Sequence, residues 1–488
     1  MCASNDSNFA GRLLRRLGEN SHLIDAATGQ TLSGGEVSSL IVGFAAGFLS
    51  VGLQAGDRLL ISCGPSPAST LAYLGAMYAG LVPVLVDERA LATRGESIFA
   101  GARAKAVWVA KGVHCDWARK NGARQIAGNF DAGPVNSLRP APCTEQDLAV
   151  LMPTSGSTGV PRLVMVSHGN LRANTDAIVR SQRLGSDEKA MLIMPVSYCF
   201  GASVMHSHLY QGGGVVFDSR FMFPDKVLHA IKTYGCTTFA GVPAVYNILL
   251  RRSNIRSVRL PGLRRFLQAG GALAPEVVQE MRGIVPTAEY FVMYGQTEAT
   301  ARISSLPPDR VGEKFGSVGL PLDNLVIRIV DDQGRELAPG QTGEIQVCGP
   351  SVCSGYFDDP EATEQKFGDG WLKTGDFACR DDEGYLWIKG RTCEFIKMRG
   401  LRVSFGEVEA KVAAIPGVYE CAAAATHHPE AGEALALFVV ADEGASIVGE
   451  RVRRALPSQW TCASVRVVPE LPKTDNGKIA RSQLRSLV

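Results

Sequence analysis

The sequence predicts an α/β fold in which a large N-terminal domain precedes a small α+β domain. With 488 residues, the chain is long enough for two to four domains. Its first half alternates helical patterns with short apolar strands, which is typical of α/β layers around a largely parallel sheet. These strands are expected at residues 58–62, 81–86, 106–109 and 148–152.

Two changes of pattern divide the rest of the chain. From residue 316 onward, short strands follow one another between turns, at 325–330, 343–348 and 385–389, which predicts a small β-barrel-like part. After Arg391, strands and helices mix again. We therefore expect an N-terminal domain over 1–391, with α/β subdomains to about 315 and a β-rich subdomain over 316–391, and a C-terminal domain over 392–488.

Charge and cysteine content narrow the class of protein. Lys and Arg (50) nearly balance Asp and Glu (48), so the net charge of +2 gives no electrostatic reason to expect a nucleic-acid partner. None of the 12 cysteines forms a Cys-x-x-Cys pair or a zinc-type spacing. This favours a reducing, cytoplasmic location.

Two segments resemble targeting or membrane signals without fitting them. Residues 37–55 carry no charge, but serines and glycines interrupt them and a short polar turn ends them, which predicts a helix packed on a sheet rather than a membrane span. The basic amphipathic stretch at 9–17 lacks the uninterrupted apolar region of a secretory signal. It predicts a first surface helix.

A glycine- and hydroxyl-rich loop is the strongest local signal for anion binding. It comprises Thr154, Ser155, Gly156, Ser157, Thr158 and Gly159. Its backbone N–H and side-chain O–H groups could bind phosphate with no bulky side chain in the way. It is not a Walker A loop, because the Lys-Ser/Thr pair is missing. Strands on both sides predict a hairpin, and an ordinary Ser/Gly-rich turn is the alternative interpretation.

Further motifs follow this loop in a fixed order. They are Tyr294-Gly295-Gln296-Thr297-Glu298, Trp371-Leu372-Lys373-Thr374-Gly375-Asp376, Gly390-Arg391 and Leu471-Pro472-Lys473-Thr474-Asp475-Asn476-Gly477-Lys478. Together with the loop, they make the sequence resemble the adenylate-forming superfamily. That superfamily includes acyl-CoA synthetases, the adenylation domains of nonribosomal peptide synthetases, and firefly luciferase. The resemblance runs along nearly the whole chain.

The resemblance implies activation of a carboxylic acid by ATP, with release of pyrophosphate. The loop from Thr154 to Gly159 would bind the β- and γ-phosphates. Gly270, Gly271 and Ala272 would pack on adenine, and Tyr294, Gly295 and Gln296 would also line the nucleotide site. Thr297 would bind the α-phosphate and Glu298 would ligate Mg²⁺.

Three further residues receive roles from the resemblance. Asp376 would accept both ribose hydroxyls, Arg391 would support the same ribose, and Lys478 would neutralise the charge that builds up during adenylation. Each has a structural alternative: Asp376 could cap a turn, Lys478 could be a solvated loop charge, and Glu298 could begin a helix.

The chain departs from the superfamily pattern at three places. Arg162-Leu163 replaces the usual Lys-Gly after the phosphate loop. Cys393 occupies the hinge position about which the mobile C-terminal domain of the family rotates, where Asp or Lys is usual. Gly201 stands where members that activate α-amino acids carry Asp to pair the substrate ammonium. An unpaired buried ammonium is costly, so a non-amino carboxylic acid is favoured.

The acid and the thiol acceptor are assigned more loosely. By their places beside the family motifs, the acid pocket is expected to contain Tyr198, Phe200, Gly201, Val204, Val242, Tyr246, Gln268 and Met293. Many of these would equally suit a plain core. Gly400 resembles the glycine that lines the pantetheine tunnel. A cluster of arginines at 251–265 could bind the phosphates of CoA or an acidic carrier protein, or could be a solvated helix end.

The sequence is therefore interpreted as an AMP-forming acid–thiol ligase that uses ATP and Mg²⁺. Its acceptor would be the phosphopantetheine thiol of CoA or of an acyl or peptidyl carrier protein. One alternative is a stand-alone adenylation enzyme that loads an amino or β-amino acid onto a carrier protein. Another is a catalytically degenerate nucleotide-binding protein, for which Arg162, Leu163 and Cys393 are the support.

Overall fold

The computed structural model describes most of the chain. The described residues are 6–110, 115–120, 122–131, 138–154, 161–391, 395–398, 401–428, 432–457, 460–473 and 479–485. They divide into two compact units: residues 1–327 with 347–373, and residues 328–346 with 374–488. The domain boundary expected after residue 391 falls inside the second unit and stays a prediction.

The helices are short to medium in length. In chain order they are α1 (Phe9–Leu14), α2 (Gly34–Ser50), α3 (Pro67–Tyr78), α4 (Glu88–Gly101), α5 (Asp116–Lys120), α6 (His168–Gln182), α7 (Cys199–Tyr210), α8 (Pro224–Thr233), α9 (Pro243–Arg252), α10 (Pro275–Ile284), α11 (Pro360–Phe367), α12 (Phe405–Ala413), α13 (Ala445–Ala455) and α14 (Arg481–Arg485). Short 3₁₀ turns lie at Thr297–Ala299, Pro308–Arg310 and Gly368–Gly370.

The strands of the first unit form two sheets. They are β1 (His22–Asp25), β2 (Thr31–Ser33), β3 (Arg58–Cys63), β4 (Val82–Asp87), β5 (Ala106–Val109), β6 (Arg124–Ala127), β7 (Leu148–Pro153), β8 (Leu163–Ser167), β9 (Lys189–Leu192), β10 (Gly214–Phe217), β11 (Thr238–Gly241), β12 (Arg265–Gln268), β13 (Glu289–Tyr294), β14 (Ser304–Leu306) and β15 (Leu320–Pro321).

Both sheets of the first unit are largely parallel, as the alternating pattern predicts. The six-stranded sheet has the order β6-β5-β3-β4-β7-β8, and only β7 with β8 pairs antiparallel. The nine-stranded sheet has the order β15-β14-β13-β12-β11-β9-β10-β1-β2, with a parallel centre from β13 to β1. Parallel strands end on one side of a sheet, where loops can bring functional residues together.

The second unit contains two smaller sheets. Its strands are β16 (Val326–Val330), β17 (Gly343–Cys348), β18 (Leu372–Arg380), β19 (Leu386–Arg391), β20 (Phe395–Met398), β21 (Leu401–Ser404), β22 (Val418–His428), β23 (Gly432–Ala441) and β24 (Cys462–Val467). Most of each strand from β16 to β19 belongs to this unit, and these four form one sheet in chain order. The expected barrel-like part is thus a four-stranded sheet. Strands β20 to β24 form the other sheet, and α12 and α13 share its hydrophobic core.

Helix α2 accounts for the uncharged segment at 37–55. It begins with a capping box between Ser33 and Glu36 and ends at Ser50. Phe44 and Phe48 are fully buried in the core that also contains Leu59 of β3, so the prediction of a helix packed against a sheet is confirmed. Within the described part of the chain, every helix is too short or too polar to cross a bilayer.

Helix α1 is amphipathic. Its side chains Phe9 and Leu13 are fully buried, and Phe9 stacks on Tyr210 of α7 with ring centroids 5.9 Å apart. Arg12 is partly exposed, and Arg15 and Arg16 directly after the helix are exposed. The predicted first helix is therefore present, with its apolar side in the core and its basic residues toward solvent.

The arginines at 251–265 do not form one basic surface. Arg251 and Arg252 end α9, whereas Arg265 lies buried in β12. Arg265 and Arg264 both donate to the buried Glu188, with Arg264 Nη1 at 3.2 Å from Glu188 Oε1. The cluster is therefore split between a helix end and an internal ion pair, and a role of its exposed members in binding CoA or a carrier protein stays a prediction.

Glu188→Gln is expected to destabilise the first unit. The substitution removes the negative charge from a carboxylate that is 2% exposed and leaves the buried Arg265 guanidinium with only the more distant Glu289, at 3.9 Å, as a counter-charge. The expected loss is about 3 kcal/mol of unfolding free energy, measured by urea denaturation. Asp187→Asn removes a more exposed partner of Arg264 and is the control, with a smaller expected loss. Equal stability of the two variants would contradict the importance of the buried pair.

Candidate active site

The segment from Tyr294 to Arg302 changes direction sharply after β13. A 3₁₀ turn spans Thr297–Ala299, and the N–H of Ala301 then donates to the carbonyl of Ala299 at 2.7 Å. This three-residue bond closes a γ-turn with Thr300 at its centre, at φ 67° and ψ −57°. A β-branched residue rarely adopts this conformation, which costs of order 1–3 kcal/mol. Strain of this kind clusters at functional sites.

Neighbouring backbone holds the γ-turn in place. The Thr300 hydroxyl donates to the carbonyl of Ser351 at 2.7 Å, and the N–H of Cys353 donates to the carbonyl of Glu298 at 2.9 Å. At Gly295 there is no room for any side chain, because a Cβ would lie 1.8 Å from the carbonyl oxygen of Ala301. The motif glycine therefore allows the two arms of the turn to approach each other.

Tyr356 holds Glu298 in position. Its phenol donates to Glu298 Oε1 at 2.8 Å, and burial together with the Glu298 charge raises the pKa of Tyr356. The phenol therefore stays protonated at neutral pH and acts as a donor. Glu298 Oε2 has no partner among the residues that the structure describes, so one carboxylate oxygen remains available to a ligand.

Glu298 fits the expected role of a magnesium ligand. Mg²⁺ is commonly bound by one or two carboxylates together with water and substrate phosphates. Across the described ranges no three His, Cys, Asp or Glu side chains are grouped closely enough to hold a metal by themselves. A magnesium ion here would therefore need nucleotide oxygens and water as its other ligands.

The unusual Arg162 contributes to the same part of the structure. Its guanidinium pairs with Asp359 at 3.2 Å and lies over the Tyr356 ring, 5.4 Å from the centroid. Asp359 also caps α11 through the N–H of Ala362. Arg162 thus ties the end of the phosphate loop to the residue that holds Glu298, which is a structural reason for arginine at this position.

The phosphate loop begins and ends as the sequence predicts. Strands β7 and β8 form an antiparallel hairpin, and the N–H of Thr154 donates to the carbonyl of Arg162 at 2.8 Å. Ser155, Gly156, Ser157, Thr158 and Gly159 lie outside the described residues. Their expected role in phosphate binding stays a prediction.

The glycines expected beside adenine lie next to two predicted acid-pocket residues. Gly270 has φ +87°, and a Cβ there would lie 2.5 Å from Tyr198 Oη and 3.2 Å from Val242 Cγ1. Gln268 Nε2 donates to the carbonyl of Gly271 at 2.8 Å, which shapes this loop. Gly271 and Ala272 are exposed. The backbone of this loop is thus exposed at Gly271 and Ala272, whereas the Gln268 amide that binds it is buried.

Four of the predicted acid-pocket residues are linked by shared neighbours in space. The rings of Tyr198 and Phe200 meet edge to face with centroids 6.3 Å apart, and Tyr198 and Val242 both border Gly270. Phe200 and Met293 both contact the guanidinium of Arg302. Val204 is buried in the same large hydrophobic core of the first unit.

Packing explains why tyrosine stands at position 246 and glycine at position 201. Tyr246 lies in an aromatic cluster with Phe266 and Tyr290, and its phenol donates to the carbonyl of Leu267 at 2.8 Å. At Gly201, a Cβ would lie 2.5 Å from the carbonyl oxygen of Pro195. Close backbone packing therefore explains this glycine, whereas the sequence suggests that it makes room for an acid.

The second unit places the two predicted ribose residues side by side. Asp376 is 3% exposed and lies opposite Arg391 in the pairing of β18 with β19. Arg391 Nε donates to Asp376 Oδ1 at 3.0 Å, which fixes the carboxylate. The predicted Lys478, the hinge residue Cys393 and the tunnel residue Gly400 lie outside the described residues.

Three residues of the first unit carry no motif signal and were missed by sequence reasoning: Tyr356, Arg302 and Asn174. Tyr356 lies 58 residues after Glu298 in the sequence, so only the fold reveals their hydrogen bond. Arg302 is buried beside Phe200 and Met293, and Asn174 of α6 binds its backbone. A charged residue four positions after Glu298, inside an otherwise apolar and hydroxyl-rich stretch, is the one signal in the sequence that could have indicated Arg302.

Comparison with known protein families identifies the class of protein to which the chain belongs. The model of the AMP-binding enzyme family matches residues 13–357, and that of the AMP-binding enzyme C-terminal domain matches residues 407–478. The chain belongs to this family. The predicted superfamily and the predicted mixed α/β fold with a small C-terminal domain are confirmed, as is the enzyme class, an AMP-forming acid–thiol ligase.

Several named proteins are similar along most of the chain. A feruloyl-CoA synthase from Amycolatopsis sp is 32% identical over 483 residues, covering 94% of each chain. A long-chain-fatty-acid–CoA ligase from Escherichia coli O157:H7 is 33% identical over 352 residues, covering 70% of this chain and 62% of its own. ATP-bound MatB from Rhodopseudomonas palustris superposes with a TM-score of 0.88 at 28% identity, covering 99% of this chain and 98% of its own.

Tyr356→Phe is expected to weaken the use of magnesium. The variant keeps the ring beside Phe367 and Arg162 but loses the donor to Glu298, a hydrogen bond to a charged group that contributes about 1.5–3 kcal/mol. We expect acid-dependent pyrophosphate exchange to fall about tenfold at low Mg²⁺ and to recover in part at high Mg²⁺. Tyr290→Phe, whose buried phenol is remote from Glu298 in the aromatic cluster, is the control. An unchanged magnesium dependence in Tyr356→Phe would contradict this role.

Proposed function

We propose that this chain activates a carboxylic acid with ATP and Mg²⁺ and transfers the acyl group to the thiol of CoA. The observation that carries the proposal is the strained turn that presents Thr297 and Glu298 while Tyr356 holds one oxygen of Glu298. Family membership provides the reaction class, and the relatives named as CoA synthase and CoA ligase support CoA as the acceptor.

The first half-reaction forms an acyl-adenylate. A carboxylate oxygen of the acid attacks the α-phosphorus of ATP, and the bond to the pyrophosphate oxygen breaks. Positioning and charge neutralisation are the main sources of catalysis for such a step. Thr297 is proposed to donate to the α-phosphate, and Glu298 to hold the magnesium ion, which neutralises phosphate charge when bound.

Asp376 is proposed to accept the ribose hydroxyls. Its carboxylate is buried on β18, and Arg391 Nε donates to its Oδ1 at 3.0 Å. A carboxylate fixed in this way can bind a diol with little further ordering. Arg391 remains half exposed, so it can also reach a bound nucleotide.

The second half-reaction forms the thioester. The sulfur of the pantetheine thiol attacks the acyl carbon of the adenylate, AMP leaves, and the thiol proton passes to solvent. The family resemblance assigns Lys478 to the first half-reaction and Gly400 to the second. Variants at these two positions therefore separate the steps.

Lys478→Ala is expected to abolish acid-dependent pyrophosphate exchange. Loss of one charge-stabilising donor in a transition state typically costs a factor of about 10²–10³ in rate. The same variant should still convert supplied acyl-adenylate and CoA to thioester at close to the wild-type rate. Lys473→Ala removes a nearby lysine that pairs with Glu420 and is the control. Equal loss of both half-reactions in Lys478→Ala would contradict the division of roles.

Gly400→Trp is expected to show the opposite result. A bulky side chain in the pantetheine tunnel should block the thiol, so thioester formation from supplied acyl-adenylate falls while pyrophosphate exchange is kept. The comparison uses Gly444→Trp, at a glycine whose Cβ would meet nothing within 4 Å. Normal thioester formation by Gly400→Trp would remove Gly400 from the tunnel.

The acid and acceptor are tested together. Pyrophosphate release is measured with fatty, aryl, amino and β-amino acids, and thioester formation is measured with CoA and with a holo carrier protein offered separately. Release with a non-amino acid and transfer to CoA are expected. Selective transfer of an amino acid to the carrier protein would favour a loading enzyme. Binding of ATP without pyrophosphate release on any acid would favour a degenerate nucleotide-binding protein.

A further inference from the structure

Arg302 is a buried arginine without a carboxylate partner. Two arginines are buried in the described part of the chain, Arg265 at 7% exposure and Arg302 at 2%. Arg265 donates to Glu188, whereas Arg302 forms no ion pair with any residue that the structure describes. Arg265 also donates to the carbonyls of Gln182 and Arg183, so Arg302 lacks both the counter-charge and the backbone acceptors that its counterpart has.

The guanidinium of Arg302 remains charged at neutral pH. Burial lowers the pKa of Arg302 to about 10, which still leaves it protonated at pH 7. The Phe200 ring, with its centroid 5.4 Å from the guanidinium carbon, and the sulfur of Met293 are its side-chain contacts. Neither replaces an anion, since a cation–π contact is weaker than the cost of leaving a buried charge unpaired.

The backbone of Arg302 is fixed on both sides. Asn174 accepts from the Arg302 N–H at 3.2 Å and donates to its carbonyl at 2.8 Å. The strained γ-turn at Thr300 lies directly before it, and Gly295 makes room for that turn. The strained γ-turn and the buried amide of Asn174 therefore hold Arg302, an uncompensated cation, in a fixed position.

The cation lies among residues predicted for the acid pocket. Phe200 and Met293 contact it directly, and the ring of Tyr198 meets that of Phe200 edge to face. Gln182 Nε2 reaches the same Met293 sulfur at 3.5 Å, and its buried Oε1 has no partner among the described residues. The Arg302 guanidinium and the Gln182 amide, which both contact the Met293 sulfur, thus have hydrogen-bonding groups without a partner among the described residues.

We propose that Arg302 binds a second carboxylate of the acid substrate, so that the preferred substrates carry an anionic group in addition to the carboxylate that is activated. This inference rests on the proposed function, since it names the substrate class of the same pocket. A guanidinium matches a carboxylate with two parallel N–H···O bonds, and burial makes such a pair strong and selective. A substrate without the second group leaves the cation unpaired.

Matched pairs of acids test this directly. The probes are hexanoate with hexanedioate, decanoate with decanedioate, and cinnamate with 4-carboxycinnamate. For at least one pair, wild-type kcat/KM in pyrophosphate exchange is expected to favour the diacid by at least about 30-fold. In Arg302→Met, kcat/KM for that diacid should fall about 100-fold while the monoacid changes little, and Arg302→Lys should retain part of the preference.

Stability measurements separate substrate binding from a structural role. Arg302→Met removes an unpaired buried charge with similar volume, so the variant should unfold at the same or a higher urea concentration than the wild type. Arg265→Met is the matched control and should be destabilised, because it leaves the buried Glu188 with only the partly exposed Arg264 as a counter-charge. If Arg302→Met is destabilised as strongly as Arg265→Met and loses both acids equally, Arg302 is structural and the inference is wrong.

Two further outcomes distinguish this inference from the proposed function. Pyrophosphate exchange that favours the monoacid in all three pairs overturns the role of Arg302 and leaves acid activation intact. If no acid supports exchange, the proposed function fails, and calorimetric titration of the same acids in the presence of AMP decides on Arg302. Diacid binding no tighter than monoacid binding, or unaffected by Arg302→Met, then overturns the inference.

Discussion

The strained turn at Thr300 is the constraint on which the candidate site of the first unit depends. It reverses the chain within three residues, so that Glu298 lies on one side and Arg302 on the other. A threonine at positive φ is unfavourable by itself and persists because its hydroxyl is bound by Ser351 and its arms close around Gly295. The packing around this strained turn therefore fixes the positions of one anion, Glu298, and one cation, Arg302.

The charged groups of the first unit differ in how they are paired. Tyr356 donates to one oxygen of Glu298. The Glu298 carboxylate is therefore ordered before a ligand arrives and keeps one oxygen for it, which reduces the entropy lost on binding. Arg265 differs, because Glu188 and Glu289 supply counter-charges inside the fold. Incomplete pairing is thus what suits Glu298 to a ligand, whereas the ion pairs of Arg265 serve the structure.

Much of the fold could be predicted because its signals are local. The strands at 106–109 and 343–348 have the observed bounds, and the hairpin around the phosphate loop needs only two apolar runs and a glycine-rich connection. Burial within the arginines at 251–265 could not be predicted for the opposite reason. A run of arginines has the same pattern whether its members are solvated or internal, and only the pairing with Glu188 shows that Arg265 is internal.

The sequence by itself determined the superfamily, the order of the motifs and the identity of the residues proposed to bind ATP, because each motif is a short contiguous pattern. Tertiary structure decided which side chain holds Glu298, why arginine is accepted at 162, and where an uncompensated cation lies. These facts depend on residues far apart in the chain, such as Tyr356 and Glu298, 58 positions apart. Burial and the absence of a counter-charge are properties of packing, and packing is what turns Arg302 from one arginine among many into a candidate for substrate selection.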